Sequence, residues 1–344
     1  MLNRRTMIKT VGALSLAASA LTTKPALAQR NTAALADASR ASELPRGVTL
    51  LSIHQQDGSE TLGVKTPNGI LDVAKANALL NAGVPVTLEA LLRSGDGAEL
   101  TSLIAAAARN PAAASVYREE SSIRYGRLFT SPGKIVCVGL NYREHVEETH
   151  EALPKVPILF NKYNNTLAAH RSTIRLPPRE VSYRFDYETE LLIVMGKAAR
   201  NVVEADALDY VAGYAVGHDF SARDLQMDTG GQWMVGKTLD GFAPIGPYFV
   251  SADLVGNPNN LSLETRVNGQ VRQLSNTSRF IFNTQTMIAY TSKLFALEPG
   301  DIIFTGTPPG VILGKPKDQQ VWLKAGDKIE STIEKLGTLQ FDLA

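Results

Sequence analysis

Short runs of aliphatic and β-branched residues alternate with amphipathic stretches and turn residues along most of the chain. Three such runs between residues 48 and 73 predict short strands, with Asn68-Gly69 forming a hairpin turn. The stretches that follow predict helices at about 74–81, 88–93 and 99–109. Together these elements predict a small α/β module in the N-terminal part of the chain.

The pattern changes at Ser131-Pro132-Gly133-Lys134, where we place a domain boundary. We therefore expect a small N-terminal domain at 46–130 and a larger domain at 131–344. In the larger domain, apolar runs predict strands at 135–139, 190–195, 211–219, 248–252 and 261–267, and helices at about 203–210 and 283–296.

The strand predicted around residues 185–196 begins with acidic residues and continues as an apolar run. Side chains alternate along a strand, so Asp186, Glu188 and Glu190 are expected on one side, with neighbouring carboxylates about 6–7 Å apart. Like charges held in a partly dry site raise each other's pKa, and a hard divalent cation such as Mg²⁺ or Ca²⁺ relieves the conflict. Taken alone, the stretch also fits an edge strand whose outer face carries glutamates.

Further polar residues follow other predicted strands. The strand at 211–219 ends in Asp219, which would supply a third carboxylate to a cation site. Gln226 is an uncharged donor within reach of a ligand, and we expect Arg223 and Asp224 to pair with each other. The turn Thr305-Gly306-Thr307 offers hydroxyls and free backbone N–H groups suited to binding a carboxylate.

A short, very polar helix is predicted at 141–150, and it carries His145 and Glu148 three residues apart. A carboxylate beside an imidazole fixes its tautomer and raises its basicity, as deprotonation of a water requires. The segment taken alone also fits a solvated helix with incidental charges. A zincin site is excluded, because neither H-E-x-x-H nor H-x-x-E-H occurs.

The segment Gly231–Thr238 satisfies G-x-x-x-x-G-K-[ST], but a P-loop needs a strand before it and a helix after it. Here polar residues precede the segment, and a Gly- and Pro-rich stretch that cannot be helical follows it. We therefore reject nucleotide binding and keep Lys237 as a cation on a glycine-hinged turn that could face an anionic substrate.

The composition of the chain limits the classes of partner that it is expected to bind. The 344 residues are 44% hydrophobic, and 35 basic against 34 acidic residues give a formal net charge of +1. Such a balance gives the protein no overall positive potential that would attract nucleic acid or an anionic membrane. Cys137 is the only cysteine and lies in an apolar run, which indicates a packed core thiol and excludes an internal disulfide.

The first residues resemble an export signal. Paired arginines at Arg4-Arg5, an uncharged run and the A-x-A pattern at Ala26-Leu27-Ala28 predict a twin-arginine signal peptide at 1–28, followed by a linker at 29–45. The uncharged run is shorter than the roughly 20 apolar residues of a membrane span. We expect a periplasmic protein that does not bind the membrane after signal cleavage.

Several segments in order resemble the fumarylacetoacetate hydrolase family, from about Lys134 to the C-terminus. The matching segments are Val138–His145, Asp186–Leu191, Asp219–Gln226, Gly236–Thr238 and Gly300–Val311. The resemblance implies an α+β fold, with a mixed β-roll for the C-terminal domain beside a small N-terminal α/β domain. It also implies a homodimer.

The resemblance further implies a Mg²⁺ site, or a Mn²⁺ or Ca²⁺ site, formed by Glu188, Glu190 and Asp219. It implies that His145 and Glu148 activate water on a segment that orders over the ligand, with Lys237 as an electrostatic partner. Residues matched to substrate binding are Tyr142, Arg143, Gln226, Thr305, Gly306 and Thr307. Unlike the family's name-giving enzyme, this chain has no acidic residue at 138–140, which makes it similar to the three-carboxylate bacterial members.

The activity implied is hydrolysis of a C–C bond in a small 2-oxo acid of the acylpyruvate or fumarylpyruvate type, through a metal-stabilised enolate. The same centre could instead decarboxylate or isomerise oxaloacetate-like or 2-hydroxyhepta-2,4-dienedioate-like acids, or act as a ureidoglycolate lyase. A periplasmic acid-binding protein without activity is the non-enzymatic alternative, and a well-placed base argues against it.

Overall fold

The computed structural model describes residues 43–344. The predicted signal peptide and all but the last three residues of the predicted linker lie outside this range. Within it the strands are β1 (Thr49–His54), β2 (Glu60–Thr66), β3 (Gly69–Asp72), β4 (Tyr117–Arg118), β5 (Ile135–Gly139), β6 (Ile158–Asn161), β7 (Leu167–Ala168), β8 (Ser172–Ile174), β9 (Phe185–Asp186), β10 (Thr189–Met195), β11 (Val211–His218), β12 (Ser221–Ala222), β13 (Ala243–Ser251), β14 (Ser262–Val267), β15 (Gln270–Asn276), β16 (Ile302–Phe304), β17 (Lys328–Ile333) and β18 (Gly337–Leu343).

Five α-helices of the described residues confirm predicted ones with small shifts at their ends, and three short ones at 223–228, 233–237 and 252–255 were not predicted. They are α1 (Val73–Leu80), α2 (Leu88–Ser94), α3 (Gly97–Arg109), α4 (Arg143–Glu148), α5 (Arg223–Asp228), α6 (Trp233–Lys237), α7 (Ala252–Val255) and α8 (Thr284–Leu294). The helix predicted at 203–210 is instead a 3₁₀ helix, Glu204–Tyr210. Such tight turns are common in short connections between strands.

Two large sheets organise the described residues, and β9 and β12 form a small third sheet. Eleven strands form a large mixed sheet in the order β4-β3-β2-β1-β13-β11-β10-β16-β5-β6, with β7 paired beside β13. The second sheet has five strands in the order β15-β14-β17-β18-β8. The predicted mixed architecture is confirmed.

Strand β10 lies inside the large sheet, and all seven of its residues are buried. Leu191 and Ile193 on one face pack in the same core as Phe341 of the second sheet, whereas Leu192 on the other face packs in the core that contains Leu91 of α2. Because both faces are covered, the strand has the continuous apolar sequence expected of a fully buried strand. Glu190 is the second residue of this buried strand and Glu188 directly precedes it, so the strand predicted around 185–196 is interrupted at 187–188.

The N-terminal strands extend the large sheet, because β1 pairs antiparallel with β13 through Thr49↔Val250 and Leu50↔Phe249. A domain division at residue 131 stays a prediction. The rejection of a P-loop at 231–238 is confirmed, since helix α5 precedes the segment and strand β13 follows it. Lys237 is the last residue of α6, so its placement on a glycine-hinged turn was wrong.

Cys137 is buried in β5, as predicted, and burial raises the pKa of its thiol well above the usual value. Among residues 43–344, no helix combines the length and apolar character that crossing a membrane requires.

Candidate metal centre and active site

Three carboxylates meet in the large sheet where strand β10 begins and the neighbouring strand β11 ends. Strands β10 and β11 are antiparallel, and Thr189 pairs with His218. Glu190 at the start of β10 therefore lies beside the end of β11, next to Glu188 and Asp219. One carboxylate oxygen from each of the three lies within 4.8 Å of the others, and all three side chains are buried. The structure thus brings together the three residues that the sequence analysis selected as metal ligands.

Two lysines hold this group of carboxylates. Lys237 Nζ lies 2.7 Å from both Glu188 Oε2 and Asp219 Oδ2. Lys162 Nζ lies 2.5 Å from Asp219 Oδ1, and its side chain is fully buried. Burial opposes the charge on Lys237, but Asp219 and Glu188 raise its pKa, so it stays protonated. Lys162 was not predicted as a site residue.

Glu190 has a different environment from its two neighbours. Its Oε2 accepts a hydrogen bond from the Gly306 N–H at 2.7 Å, and it forms no ion pair with a lysine, arginine or histidine in the described part of the chain. Burial, followed by the charges of Asp219 and Glu188, raises the pKa of Glu190 well above its usual value. Burial acts in the same direction on Glu188, but Lys237 and Arg223 outweigh it and lower the pKa of Glu188 to about 2.

Arg223 is buried and holds the start of the carboxylate strand. Its Nε donates to Asp186 Oδ2 at 2.9 Å, its Nη2 lies 2.6 Å from Glu188 Oε1, and its Nη1 donates to Gln226 Oε1 at 2.8 Å. The predicted pair of Arg223 with Asp224 was wrong. Adjacent residues of a helix point in different directions, and Asp224 instead accepts from the Ser182 hydroxyl at 2.6 Å.

His145 and Glu148 form the predicted pair on helix α4. His145 Nδ1 lies 2.8 Å from Glu148 Oε1, and Glu148 Oε2 accepts from the Gly310 N–H at 2.8 Å. With Nδ1–H donating to this anchored carboxylate, Nε2 is the nitrogen left free to accept a proton. His145 and the three carboxylates line one cavity. A base and a cluster of possible metal ligands therefore share one cavity.

The predicted substrate-binding residues divide into two groups. Gln226 and Thr307 line the cavity. Tyr142 is fully buried against Phe280 and Arg143 is exposed, and neither lines the cavity. The N–H of Gly306 donates to Glu190, and the Thr305 hydroxyl donates to Leu191 O at 2.9 Å. The expectation of free donors at 305–306 was therefore wrong, because both groups hold strand β10.

His218 is a second site residue that was not predicted. Its Nε2 accepts from the Glu188 N–H at 3.0 Å, and its Nδ1 lies 3.0 Å from the Ser331 hydroxyl. Burial, with help from the neighbouring lysines, lowers the pKa of His218 to about 3, so the ring is neutral. It links the backbone of Glu188 to the second sheet.

The donor set fits a hard divalent cation. Carboxylate oxygens are the ligands that Mg²⁺ and Mn²⁺ prefer, and here three carboxylates are buried together. Four carboxylates (Asp186 and the three of the cluster) face three cations (Lys162, Lys237 and Arg223), which leaves one negative charge uncompensated when Glu190 is ionised. Glu188, Glu190 and Asp219 would hold the metal.

The raised pKa of Glu190 predicts a pH-dependent effect of chelation. In the metal-free protein, folding favours the protonated carboxyl, whereas the unfolded chain releases this proton near its ordinary pKa of about 4.3. The metal-free fold therefore loses stability as the pH rises above that value, and a metal that binds the carboxylate restores it. We expect the difference in Tm between Mg²⁺ and EDTA to be larger at pH 8 than at pH 5.5. Calorimetry would show this, with Glu190→Gln as the control in which the pH trend is lost.

Removal of Arg223 is expected to destabilise the fold. In Arg223→Met, Asp186 and Glu188 lose a buried partner, which costs about 3 kcal/mol of unfolding free energy in EDTA. The matched control is Arg184→Met, because its partner Asp228 has a side chain that is 60% exposed, and a surface pair contributes less than about 1 kcal/mol. Urea unfolding measures both losses, and equal losses would contradict the role given to Arg223.

Comparison with known protein families matches residues 134–344 to the fumarylacetoacetate (FAA) hydrolase C-terminal model. A fumarylacetoacetate hydrolase domain-containing protein 2 homolog of Dictyostelium discoideum is 52% identical over 60% of this chain and 70% of its own length. The mitochondrial oxaloacetate tautomerase FAHD2A of Homo sapiens is 40% identical over 81% of this chain and 85% of its own.

Solved structures agree with this relationship. A fumarylacetoacetate hydrolase from psychrophilic Exiguobacterium antarcticum is similar with a TM-score of 0.68 and 29% identity, over 86% of this chain and 99% of that one. A fumarylpyruvate hydrolase from Pseudomonas aeruginosa, in complex with Mn²⁺ and pyruvate, has a TM-score of 0.55 and 32% identity over 61% of this chain and 89% of that one.

Proposed function

The chain belongs to the fumarylacetoacetate hydrolase family, and from that premise we propose that it is a divalent-metal-dependent enzyme that interconverts the keto and enol forms of an oxaloacetate-like 2-oxo acid. The observation that carries the proposal is the shared cavity in which the His145–Glu148 pair lies with three buried carboxylates. The name of the human relative, an oxaloacetate tautomerase, supports this choice of reaction.

Tautomerisation needs a base for the proton on C3 and stabilisation of the negative charge that develops on the 2-oxo oxygen. A divalent cation held by Glu188, Glu190 and Asp219 supplies Lewis-acid polarisation of that oxo group. His145 Nε2 would take the C3 proton and, as the imidazolium, deliver it to the 2-oxo oxygen to give the enol; in the reverse direction Nε2 takes the enol O–H proton and delivers it to C3. No water need attack the substrate in this reaction.

The surrounding residues keep His145 competent for proton transfer. Glu148 accepts from Nδ1–H and stabilises the imidazolium that forms when Nε2 takes the proton. The Gly310 N–H holds Glu148 in turn, which fixes the ring relative to the 305–310 turn. Lys237 Nζ, between Glu188 and Asp219, supplies a positive charge beside the developing oxyanion.

Charge balance agrees with an anionic substrate. With Glu190 ionised to bind the metal, the four carboxylates and three cations carry one excess negative charge, and a divalent cation reverses this to one excess positive charge. A cavity with net positive charge attracts a carboxylate-bearing substrate. Gln226 lines the same cavity and can donate from its side-chain amide, whereas the Thr307 hydroxyl, which also lines it, donates to Thr189 O at 3.2 Å.

Hydrolysis of an acylpyruvate or fumarylpyruvate C–C bond is the second candidate. The His145–Glu148 pair is also the arrangement that deprotonates a water, and a fumarylpyruvate hydrolase is among the similar structures. Decarboxylation or isomerisation of related acids, ureidoglycolate lyase activity and metal-dependent acid binding without turnover are further outcomes that the same experiment separates.

A substrate panel tests the proposal. Oxaloacetate enol, an acylpyruvate, fumarylpyruvate, ureidoglycolate and a hydroxymuconate-type acid would each be assayed with Mg²⁺, with Mn²⁺ and with EDTA. We expect metal-dependent loss of the oxaloacetate enol absorbance without release of CO₂. Turnover of the acylpyruvate alone would support the hydrolase, and binding without turnover of any acid would contradict an enzyme.

We also propose that the protein is exported to the periplasm through its twin-arginine sequence and acts there as a homodimer. The paired arginines and the A-x-A pattern within 1–28 support export, and the family resemblance supports the dimer. Cell fractionation of the full chain tests export, with Arg4→Lys/Arg5→Lys as the variant that should stay in the cytoplasm. Sedimentation of the mature protein tests the dimer.

A further inference from the structure

A second cavity lies outside the active site. It is an open groove of about 720 Å³ that shares no lining residue with the active-site cavity. Its positive residues outnumber its acidic ones, with three arginines against one glutamate. We call it the cationic groove, and its charged and titratable residues are His54, Glu60, Arg124, Arg127, His170 and Arg171.

Two segments form the walls of the cationic groove, and Tyr125 joins them. The segment 123–127 lies along β1, because the His54 N–H donates to Arg124 O at 2.8 Å and the Gly126 N–H donates to Ser52 O at 2.9 Å. The turn at 168–173 packs against this segment. The ring of His170 meets Tyr125 edge-on at 4.6 Å, and the Arg171 guanidinium lies 5.7 Å from the Tyr125 centroid. Tyr125 therefore brings arginines from two separate segments to one groove.

The arginines of the groove are only partly neutralised. Arg127 Nε lies 3.3 Å from Glu60 Oε1 in a half-exposed pair. Arg124 and Arg171 form no ion pair with any carboxylate of residues 43–344. The Ser172 hydroxyl, which also lines the groove, is buried and has no hydrogen-bond partner among the described residues. Two exposed guanidinium groups without a carboxylate partner therefore lie at the groove, beside one hydroxyl without a hydrogen-bond partner.

The turn that presents Arg171 has an unfavourable backbone conformation. Arg171 has a φ of 61°, in the left-handed region that costs a non-glycine residue about 1 kcal/mol. Its N–H donates to Gln340 O at 2.7 Å, and His170 Nδ1 accepts from the Gln340 N–H at 3.1 Å, so strand β18 holds the turn. Burial lowers the pKa of His170 to about 4, so the ring is neutral and its remaining proton is on Nε2.

We propose that the cationic groove binds a small oxyanion with at least two negative charges, either a phosphate ester or a dicarboxylate. The planar guanidinium forms paired hydrogen bonds with carboxylate and phosphate oxygens, and Arg124 and Arg171 are free to form them. A single negative charge would leave one of these two guanidinium groups unneutralised. The groove is a site apart from the proposed reaction centre, so binding there does not depend on the substrate of the enzyme.

Calorimetry on the Mg²⁺-loaded protein at low ionic strength tests the proposal, with inorganic phosphate, succinate and acetate as probes. The variant Arg124→Gln/Arg171→Gln removes the two free guanidinium groups. The variant Arg175→Gln/Arg200→Gln removes the same charge from two exposed arginines outside the groove. Any binding at the metal is common to all three proteins, so a difference between the two variants reports the groove.

We expect the groove variant to bind phosphate or succinate at least about tenfold more weakly than wild type, a change of about 1.4 kcal/mol, with enzymatic activity retained. The control variant should bind as wild type does, and acetate should bind weakly to all three. The stronger of the phosphate and succinate responses identifies the ligand class. Equal binding by the groove variant and wild type, or equal loss in both variants, would overturn the proposal.

Discussion

Glu190→Gln is expected to weaken Mg²⁺ binding by at least about a hundredfold and to reduce activity to background. Mutation of a residue that only holds a metal ligand typically lowers metal affinity by about 10- to 100-fold, so loss of a ligand itself should lower it more. Glu190 is the best of the three carboxylates to change. Glu188 and Asp219 neutralise buried lysines, and their removal would leave those cations unpaired, whereas Glu190 accepts only from the Gly306 N–H.

The matched control is Glu151→Gln, which removes one negative charge from the lining of the same cavity without touching the three-carboxylate cluster. Mg²⁺ titration by calorimetry should show normal affinity for Glu151→Gln and none measurable for Glu190→Gln, with both proteins folded. Equal affinities in the two variants would remove Glu190 from the metal site.

His145→Ala is expected to reduce kcat for oxaloacetate tautomerisation by about 10²- to 10⁴-fold, the usual contribution of a placed general base. Affinity for Mg²⁺ should not change, because His145 is not one of the three clustered ligands. Glu148→Gln should cause a smaller loss, since it removes the charge that stabilises the imidazolium but leaves the ring in place.

His150→Ala is the control for this prediction, because His150 is an exposed histidine just beyond α4 that does not line the cavity. Stopped-flow absorbance would follow the enol, and a coupled assay would follow acylpyruvate hydrolysis in the same variants. A His145→Ala protein that loses hydrolysis but keeps tautomerisation would contradict proton transfer by His145 and favour the hydrolase.

The three carboxylates and the His145–Glu148 pair could be predicted from the sequence because their spacing along the chain is local. The pair lies within one helical turn, and Glu188 and Glu190 are two positions apart where a buried strand begins at Thr189. Asp219 could be added because an apolar run marks the end of a neighbouring strand. In each case a regular element predicts the direction of the side chain.

The residues that were missed depend on contacts between distant parts of the chain. Lys162 lies 57 positions from Asp219, and a single lysine after a strand gives no periodic signal. His218 was passed over because its role needs Ser331 of the second sheet. The same limit explains the wrong partner for Arg223, because Asp186 is 37 positions away and its neighbour Asp224 is the obvious choice on sequence alone.

The pairing of strands that are far apart in the chain could also not be predicted from the sequence pattern. The apolar runs predict that β1–β3 exist, but not that β1 joins β13 and makes the N-terminal strands part of the large sheet. Register between strands far apart in the chain is set by the packed core and not by local alternation.

Anomalous diffraction from crystals grown with Mn²⁺ tests the metal centre most directly. The account predicts one anomalous peak in the cavity, with an oxygen of each of Glu188, Glu190 and Asp219 at about 2.1 Å, near the distance for Mg²⁺. His145 Nε2 should face the open coordination positions. A cavity without a peak, or a peak bound elsewhere with Glu188 and Asp219 still paired to Lys237 and Lys162, would contradict it.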